Sequence, residues 1–158
     1  LKRIRHSKGK TRPYELRQQM QKVMMDHVGV FREANGINSA IATVSELRHR
    51  YHTDLIIDDA GHQFNTDLME AWELGCLLDL ALVTAYSAAA RTESRGAHSR
   101  EDFQQRDDVN WLVHTLAFPK DFTISSTGEL HVDLNFNKKV DLSLAEVDPR
   151  FAPKERVY

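Results

Sequence analysis

The sequence predicts a mainly α protein: an antiparallel three-helix bundle (spectrin-repeat-like) followed by a short β-rich C-terminal tail. Three patterns carry that reading. Leu16, Met20, Val23, Met24, His27, Val28 and Phe31 recur at the spacing of a one-sided amphipathic helix, and Ile37, Ile41, Val44, Leu47 and Tyr51 repeat it. The run from Leu68 to Ala90 is apolar on nearly all sides, which marks a helix covered by its neighbours. Further on, Leu130, Val132, Leu134 and Phe136 alternate with His131, Asp133 and Asn135, the period of a half-buried strand.

The chain divides accordingly into segments 1–12, 13–96, 97–118 and 119–158. The first carries Lys2, Arg3, Arg5, Lys8, Lys10 and Arg12 without an acid, and reads as a basic, flexible arm. Pro13 suits the first turn of a helix, where its missing N–H costs nothing, and Asn35-Gly36 reads as the turn that ends it. Met20, Met24 and Met25 fall at core spacing on that helix. After the second helix, residues 52–64 are expected to cross the bundle with Leu55, Ile56 and Ile57 tucked in. Asn65 or Thr66 is expected to cap the third, with Asp67 and Glu70 in its first turn. Gly96 reads as the residue just past its end, leaving Arg91 and Arg95 in a last turn whose dipole favours cations. Asp107 or Asp108 is expected to cap a short helix holding Trp111 and Leu112. In the tail, Asn137-Lys138-Lys139 is read as a hairpin turn leading to a second strand of Val140, Leu142 and Leu144, with Leu116–Phe118 able to supply a third.

Composition narrows the function. At 158 residues the chain can bury a real core. Its net charge of -2 argues against a polyanion binder, so no nucleic-acid partner is expected. Cys76 is the sole cysteine, which excludes an intrachain disulfide and a thiolate metal cluster; within an apolar helix it reads as a small buried hydrophobe. The run Leu74–Ala90 contains Asp79, Thr84 and Ser87 and falls short of the ~20 residues of a membrane span. Eight histidines include His49 and His52 at a helix end, with His62 in the next loop, but no thiolate pair or carboxylate–histidine grouping completes a metal site. Glu70 and Glu73 share a helix face without a partner. The glycines at 9, 29, 36, 61, 75, 96 and 128 include no G-x-G spacing, the turn a dinucleotide cradle needs. No catalytic, cofactor-binding or metal residue is therefore expected in this chain.

One stretch stands apart. From Arg91 to Leu116 the cations Arg91, Arg95, Arg100 and Arg106 are interleaved with Glu93, Glu101, Asp102, Asp107 and Asp108, and Phe103, Trp111 and Leu112 lie among them. Aromatics in such company indicate an ordered, salt-bridged loop rather than a linker. Guanidinium groups also suit carboxylates, so His98 and its flanking arginines are weighed as a dicarboxylate site against pairing with the local acids and a neighbouring domain. The second alternative is favoured.

Thr92-Glu93-Ser94-Arg95-Gly96-Ala97-His98-Ser99-Arg100, Asp102-Phe103, Arg106-Asp107-Asp108, Trp111-Leu112 and His114-Thr115-Leu116 closely resemble the C-terminal region of the succinate dehydrogenase and fumarate reductase flavoprotein family. Phe64-Asn65, Ala71–Leu74 and the closing Pro153–Tyr158 extend the likeness. The resemblance implies a whole protein that oxidises succinate to fumarate through a covalently bound FAD, passing electrons to an iron–sulfur subunit and on to a quinone at a membrane anchor. It implies a peripheral place on the cytoplasmic side of the inner membrane. The family's flavin and dicarboxylate residues lie upstream, so none is carried over to this chain. What remains here is architectural: Arg95, His98, Arg100, Arg106, Asp107 and Asp108 are expected to face the chain's own flavin-binding domain or the iron–sulfur partner. Fumarate reductase is the alternative within the family. A stand-alone helical adaptor module is the alternative outside it; the start at Leu1, not methionine, favours a piece cut from a longer frame.

Overall fold

The computed structural model describes residues 1–122 and 125–154. Its elements run α1 (Lys2–Arg5), α2 (Pro13–Val28), β1 (Phe31–Arg32), α3 (Ala34–Thr53), α4 (Thr66–Ala90), β2 (Ser99–Arg100), β3 (Leu116–Asp121), β4 (His131–Asn135), α5 (Ser143–Val147) and a 3-10 turn (Pro149–Phe151). Helices α2, α3 and α4 form the predicted bundle. Leu16, Ile37, Val44, Leu47, Leu74, Leu78 and Leu82 meet in its interior with no solvent exposure. Each such leucine contributes about 2 kcal/mol of transfer free energy. Leu55 and Ile57 are buried in the crossing between α3 and α4, as expected.

Helix α2 stops at Val28, one turn early, because Gly29 closes it and the next residues are drawn into β1. Phe31 consequently leaves the core and is exposed, and Met25, expected inside, is 76% exposed. Asn35 and Gly36 make no turn between helices: both belong to the first turn of α3. Gly36 is buried beneath the His27 ring, where a Cβ would come within 3.1 Å of the imidazole, so close helix approach overrides its turn preference. The basic arm, expected to be flexible, is docked. Ile4 is buried, the N–H groups of Gly9, Lys10 and Thr11 bond the carbonyls of Leu55 and Asp54, and the Thr11 hydroxyl donates to Asp54 at 2.6 Å.

Asn65 caps α4, its Oδ1 accepting from the Leu68 N–H at 2.7 Å. The helix ends at Ala90 rather than at Gly96, and Arg91 is already extended. Gly96 instead has φ +56° in the two-residue turn between Arg95 and His98, whose backbones exchange hydrogen bonds at 2.8 and 3.0 Å. The first central position of such a turn favours glycine. Only the inward face of α4 is covered. Met69, Trp72, Cys76, Leu77 and Leu80 look outward, Leu80 61% exposed, since two neighbours cannot enclose a whole helix. Cys76 is thus an exposed thiol, not a core residue. By length and composition α4, with a window of mean hydropathy 1.4, could cross a membrane; its inward face is taken by the bundle.

In the tail, β3 and β4 pair antiparallel with Leu116 opposite Asn135 and Phe118 opposite Asp133. The partner of the His131–Asn135 strand is therefore the Leu116 segment, and no strand forms over Val140–Leu144. There Asp141 accepts the Ser143 N–H at 2.9 Å and turns the chain into α5, leaving Leu144 exposed. Glu155–Tyr158 lie outside the described residues.

Arg48 joins bundle to tail. It is 1% exposed, pairs with Asp79 at 2.7 Å, and donates to the carbonyls of Phe122, Gly128 and Glu129. Gly128 has φ +75° and lies against the Ser45 carbonyl, where no side chain fits. Replacing Arg48 with Met is expected to cost about 3 kcal/mol, because Asp79 and three carbonyls lose their donor. Urea unfolding with amide exchange in β4 measures it; unchanged stability would contradict this role.

Candidate functional site

The charged stretch forms two ion clusters at the C-terminal end of α4. At the centre of the first is Glu93, with 0% exposure. Its carboxylate accepts from the Arg91 guanidinium, from Arg95 Nε at 2.8 Å and Nη2 at 3.1 Å, and from the Asp107 backbone N–H at 2.9 Å. Burying a carboxylate without such donors would be costly. Arg91 also donates to the Trp111 and Val113 carbonyls and lies over the Trp111 ring, 5.1 Å from its centroid. Asp108 then bridges Arg95, at 2.7 Å, to Arg106, at 2.8 and 2.6 Å, and Arg106 reaches the Lys154 carbonyl. Asp107 turns the chain by accepting the N–H groups of Val109 and Asn110, both at 3.0 Å. That is the capping chemistry expected of it, but the segment it opens is a turn, not a helix.

The second cluster clasps two helix ends. Arg100, 2% exposed, donates to the carbonyls of Ala88, Ala89 and Arg91 at the close of α4. Its other nitrogens grip Asp102 in a bidentate pair at 2.7 and 2.8 Å. Asp102 in turn accepts the Ala34 N–H at 3.0 Å, capping α3, whose own N-cap Glu33 makes no such bond. A cation thus sits at one helix C-terminus and an anion at another N-terminus, each where the dipole favours it. The Arg100 and Ala34 hydrogen bonds hold the Asp102 carboxyl down from 3.8 to about 2.

His98 lies between the clusters. Arg32 Nη1 donates to its Nδ1 at 2.7 Å, so the ring proton is on Nε2, which donates to the Arg91 carbonyl at 3.1 Å. Burial, with Arg32, Arg100 and Arg91 nearby, lowers the imidazole pKa and keeps it neutral. The parallel pairing of β1 with β2 brings Arg32 here. Sequence spacing gave no sign of this residue, because it stands 66 positions from His98 along the chain. Of the residues singled out from the sequence, Arg95, Arg106, Asp107 and Asp108 come together around Glu93, Arg100 belongs to the second group, and His98 lies between the two. Arg95, Arg100 and Arg106 all have carboxylate partners within this segment.

No group of three or more metal-ligating side chains forms among the described residues. Among the described residues there is no fit to a flavin either: the positive-φ glycines, Gly96 and Gly128, stand at no strand-to-helix turn that could cradle a pyrophosphate.

Comparison with known proteins places this geometry. Residues 17–158 match the family described as fumarate reductase flavoprotein C-term. The succinate dehydrogenase flavoprotein subunit of Rickettsia felis is 41% identical over 99% of the chain and 25% of its own length. The fumarate reductase flavoprotein subunit of Haemophilus influenzae is 44% identical over 66% of the chain and 17% of its own length. Among solved structures, a mutated E. coli quinol fumarate reductase superposes with TM-score 0.74 at 34% identity, covering 89% of this chain and 23% of that one. The chain therefore spans about a quarter of the curated relatives it matches.

The Asp102 clasp makes a pH prediction. A carboxylate with a depressed pKa contributes stability in full above its unfolded value of 3.8 and loses it as pH falls towards 2. Amide exchange at Ala34 should accelerate across that window, and the Asp102 carboxyl carbon shift should titrate with its midpoint near 2. A midpoint at the ordinary carboxylate value would contradict the clasp.

Proposed function

Since the chain belongs to the succinate dehydrogenase and fumarate reductase flavoprotein family as its C-terminal domain, we propose that the whole protein oxidises succinate to fumarate and that this domain serves it structurally. The match running from residue 17 to residue 158 carries the reading. In it, FAD is held upstream of this domain, electrons leave through an iron–sulfur subunit to a quinone, and the protein sits peripherally on the cytoplasmic side of the inner membrane, touching the membrane anchor only indirectly. No residue described here takes part in the chemistry. His98 is held neutral between two partners and the motif arginines are matched by local acids, which leaves none of them free to grip a dicarboxylate.

The work of the domain is docking on its own flavin-binding part. Two features support that. The outward face of α4 offers Met69, Trp72, Leu77 and Leu80 to something other than this bundle. The loop from Arg95 to Asp108 is held from within, Arg106 pairing with Asp108 and the Asp107 N–H bonding Glu93 to form a fixed rim, while Arg100 ties the loop to the end of α4. Fumarate reduction is the second reading, favoured by the family's description and by the 44% identity to a fumarate reductase subunit.

Purified full-length protein carrying this domain is expected to be yellow and to reduce a dye with succinate. Fumarate with a reduced dye tests the reverse direction, and aspartate serves as the control. The domain alone is expected to show no flavin absorbance and no turnover. Full-length protein without flavin or without activity on either dicarboxylate would overturn the assignment.

A further inference from the structure

Arg32 is the cation of this region that the local acids leave unmatched. Its Nε donates to the Gly29 carbonyl at 2.6 Å and one Nη to His98. Among the described residues no carboxylate oxygen forms an ion pair with it, whereas Arg91, Arg95, Arg100 and Arg106 each have one. Half-buried, with Arg100 close by, its guanidinium carries a desolvation cost that two neutral acceptors offset only in part and no carboxylate among the described residues relieves.

It opens onto a cavity of about 420 Å³ shared with His98, Thr84, Ser87, Arg91 and Thr115. Arg91 is already spent on Glu93 and the Trp111 and Val113 carbonyls, and the Thr84 and Ser87 hydroxyls donate to the Leu80 and Val83 carbonyls. Among the described residues Arg32 is therefore the cavity-lining cation without an acid, and its planar guanidinium suits a carboxylate. The cavity also continues the exposed face of α4. Met69, Trp72, Cys76 and Leu80 follow one another at three- and four-residue spacing, and the next steps on that face are Thr84 and Ser87, which line the cavity. An apolar stripe therefore ends in a cationic socket.

We propose that this socket receives the carboxylate of an Asp or Glu from the part of the flavoprotein that precedes this chain, locking the α4 face against it. The inference rests on the docking reading above. Charge complementarity calls for an acid, and the relatives carry some three-quarters of their length outside the matched region, enough to supply it. His98 acts as a positioning residue: its Nδ1 accepts from one Nη of Arg32, and both side chains line the cavity.

The test uses full-length flavoprotein. In an Arg32→Lys variant, zero-length carbodiimide coupling should form an amide between the introduced amine and one upstream acid, identified by mass spectrometry. Lys120 and Asp133, 3.2 Å apart, give the internal positive control. In the unmodified protein, phenylglyoxal should modify Arg32 far more slowly than the exposed Arg150. If other cross-links join the two parts while position 32 yields none, or links only within this chain or to another subunit, the socket is refuted and docking stands. Rapid modification of Arg32 in the full-length protein refutes it as well. If no cross-link joins the two parts at all, docking fails and the socket with it.

Discussion

The loop between α4 and β3 depends on one buried carboxylate. Glu93 has no exposure to solvent, and two guanidinium groups and a backbone N–H converge on it to supply the partners that burial takes from water. That convergence fixes Arg91 at the end of α4, Arg95 in its glycine turn, and Asp107 fourteen residues away from Glu93 along the chain. From Arg95 the pairing continues through Asp108 to Arg106 and the Lys154 carbonyl. Removing one partner from such a network typically costs about 3–5 kcal/mol, because the others stay buried without it. The Arg100–Asp102 clasp does the same between α4 and α3.

This self-neutralisation limits what the motif can do. A cluster of arginines around a histidine looks suited to a dicarboxylate, but guanidinium groups already bound bidentate to local acids cannot hold another one without first releasing them. The motif holds the domain's shape. In the docking proposed above, contact with the rest of the flavoprotein would use the rim at Arg106 to Asp108 together with what the fold leaves unfilled, the apolar stripe of α4 and the Arg32 socket at its end.

Much of this was legible in the sequence. Periodicity placed the three helices and their core, and the Asn65 cap and the buried crossing at Leu55 followed from local chemistry. The family was readable from the Arg-Gly-Ala-His-Ser-Arg core and its flanks, and the match over residues 17–158 agrees. The features that escaped it depended on distant partners. Asn35-Gly36 carries a turn signal, yet packing against His27 makes it the start of a helix. Gly96 suits either a helix end or a tight hairpin, and Glu93 with Arg95 selects the hairpin. Val140, Leu142 and Leu144 alternate too briefly to separate a strand from a turn, and Asp141 decides it. Arg32 was invisible because only the β1–β2 pairing brings it to His98.

The most direct test of docking through α4 uses Cys76, an exposed thiol on the outward stripe. Its alkylation rate would be followed by peptide mass spectrometry in full-length flavoprotein, native and after unfolding in urea. Docking predicts a Cys76 that reacts slowly until the protein unfolds, with Met69 and Trp72 on the same face equally shielded from hydroxyl-radical oxidation. A Cys76 that reacts in the native protein as fast as in the unfolded one would mean that this face lies open, and the account of the domain as a docked support would be wrong.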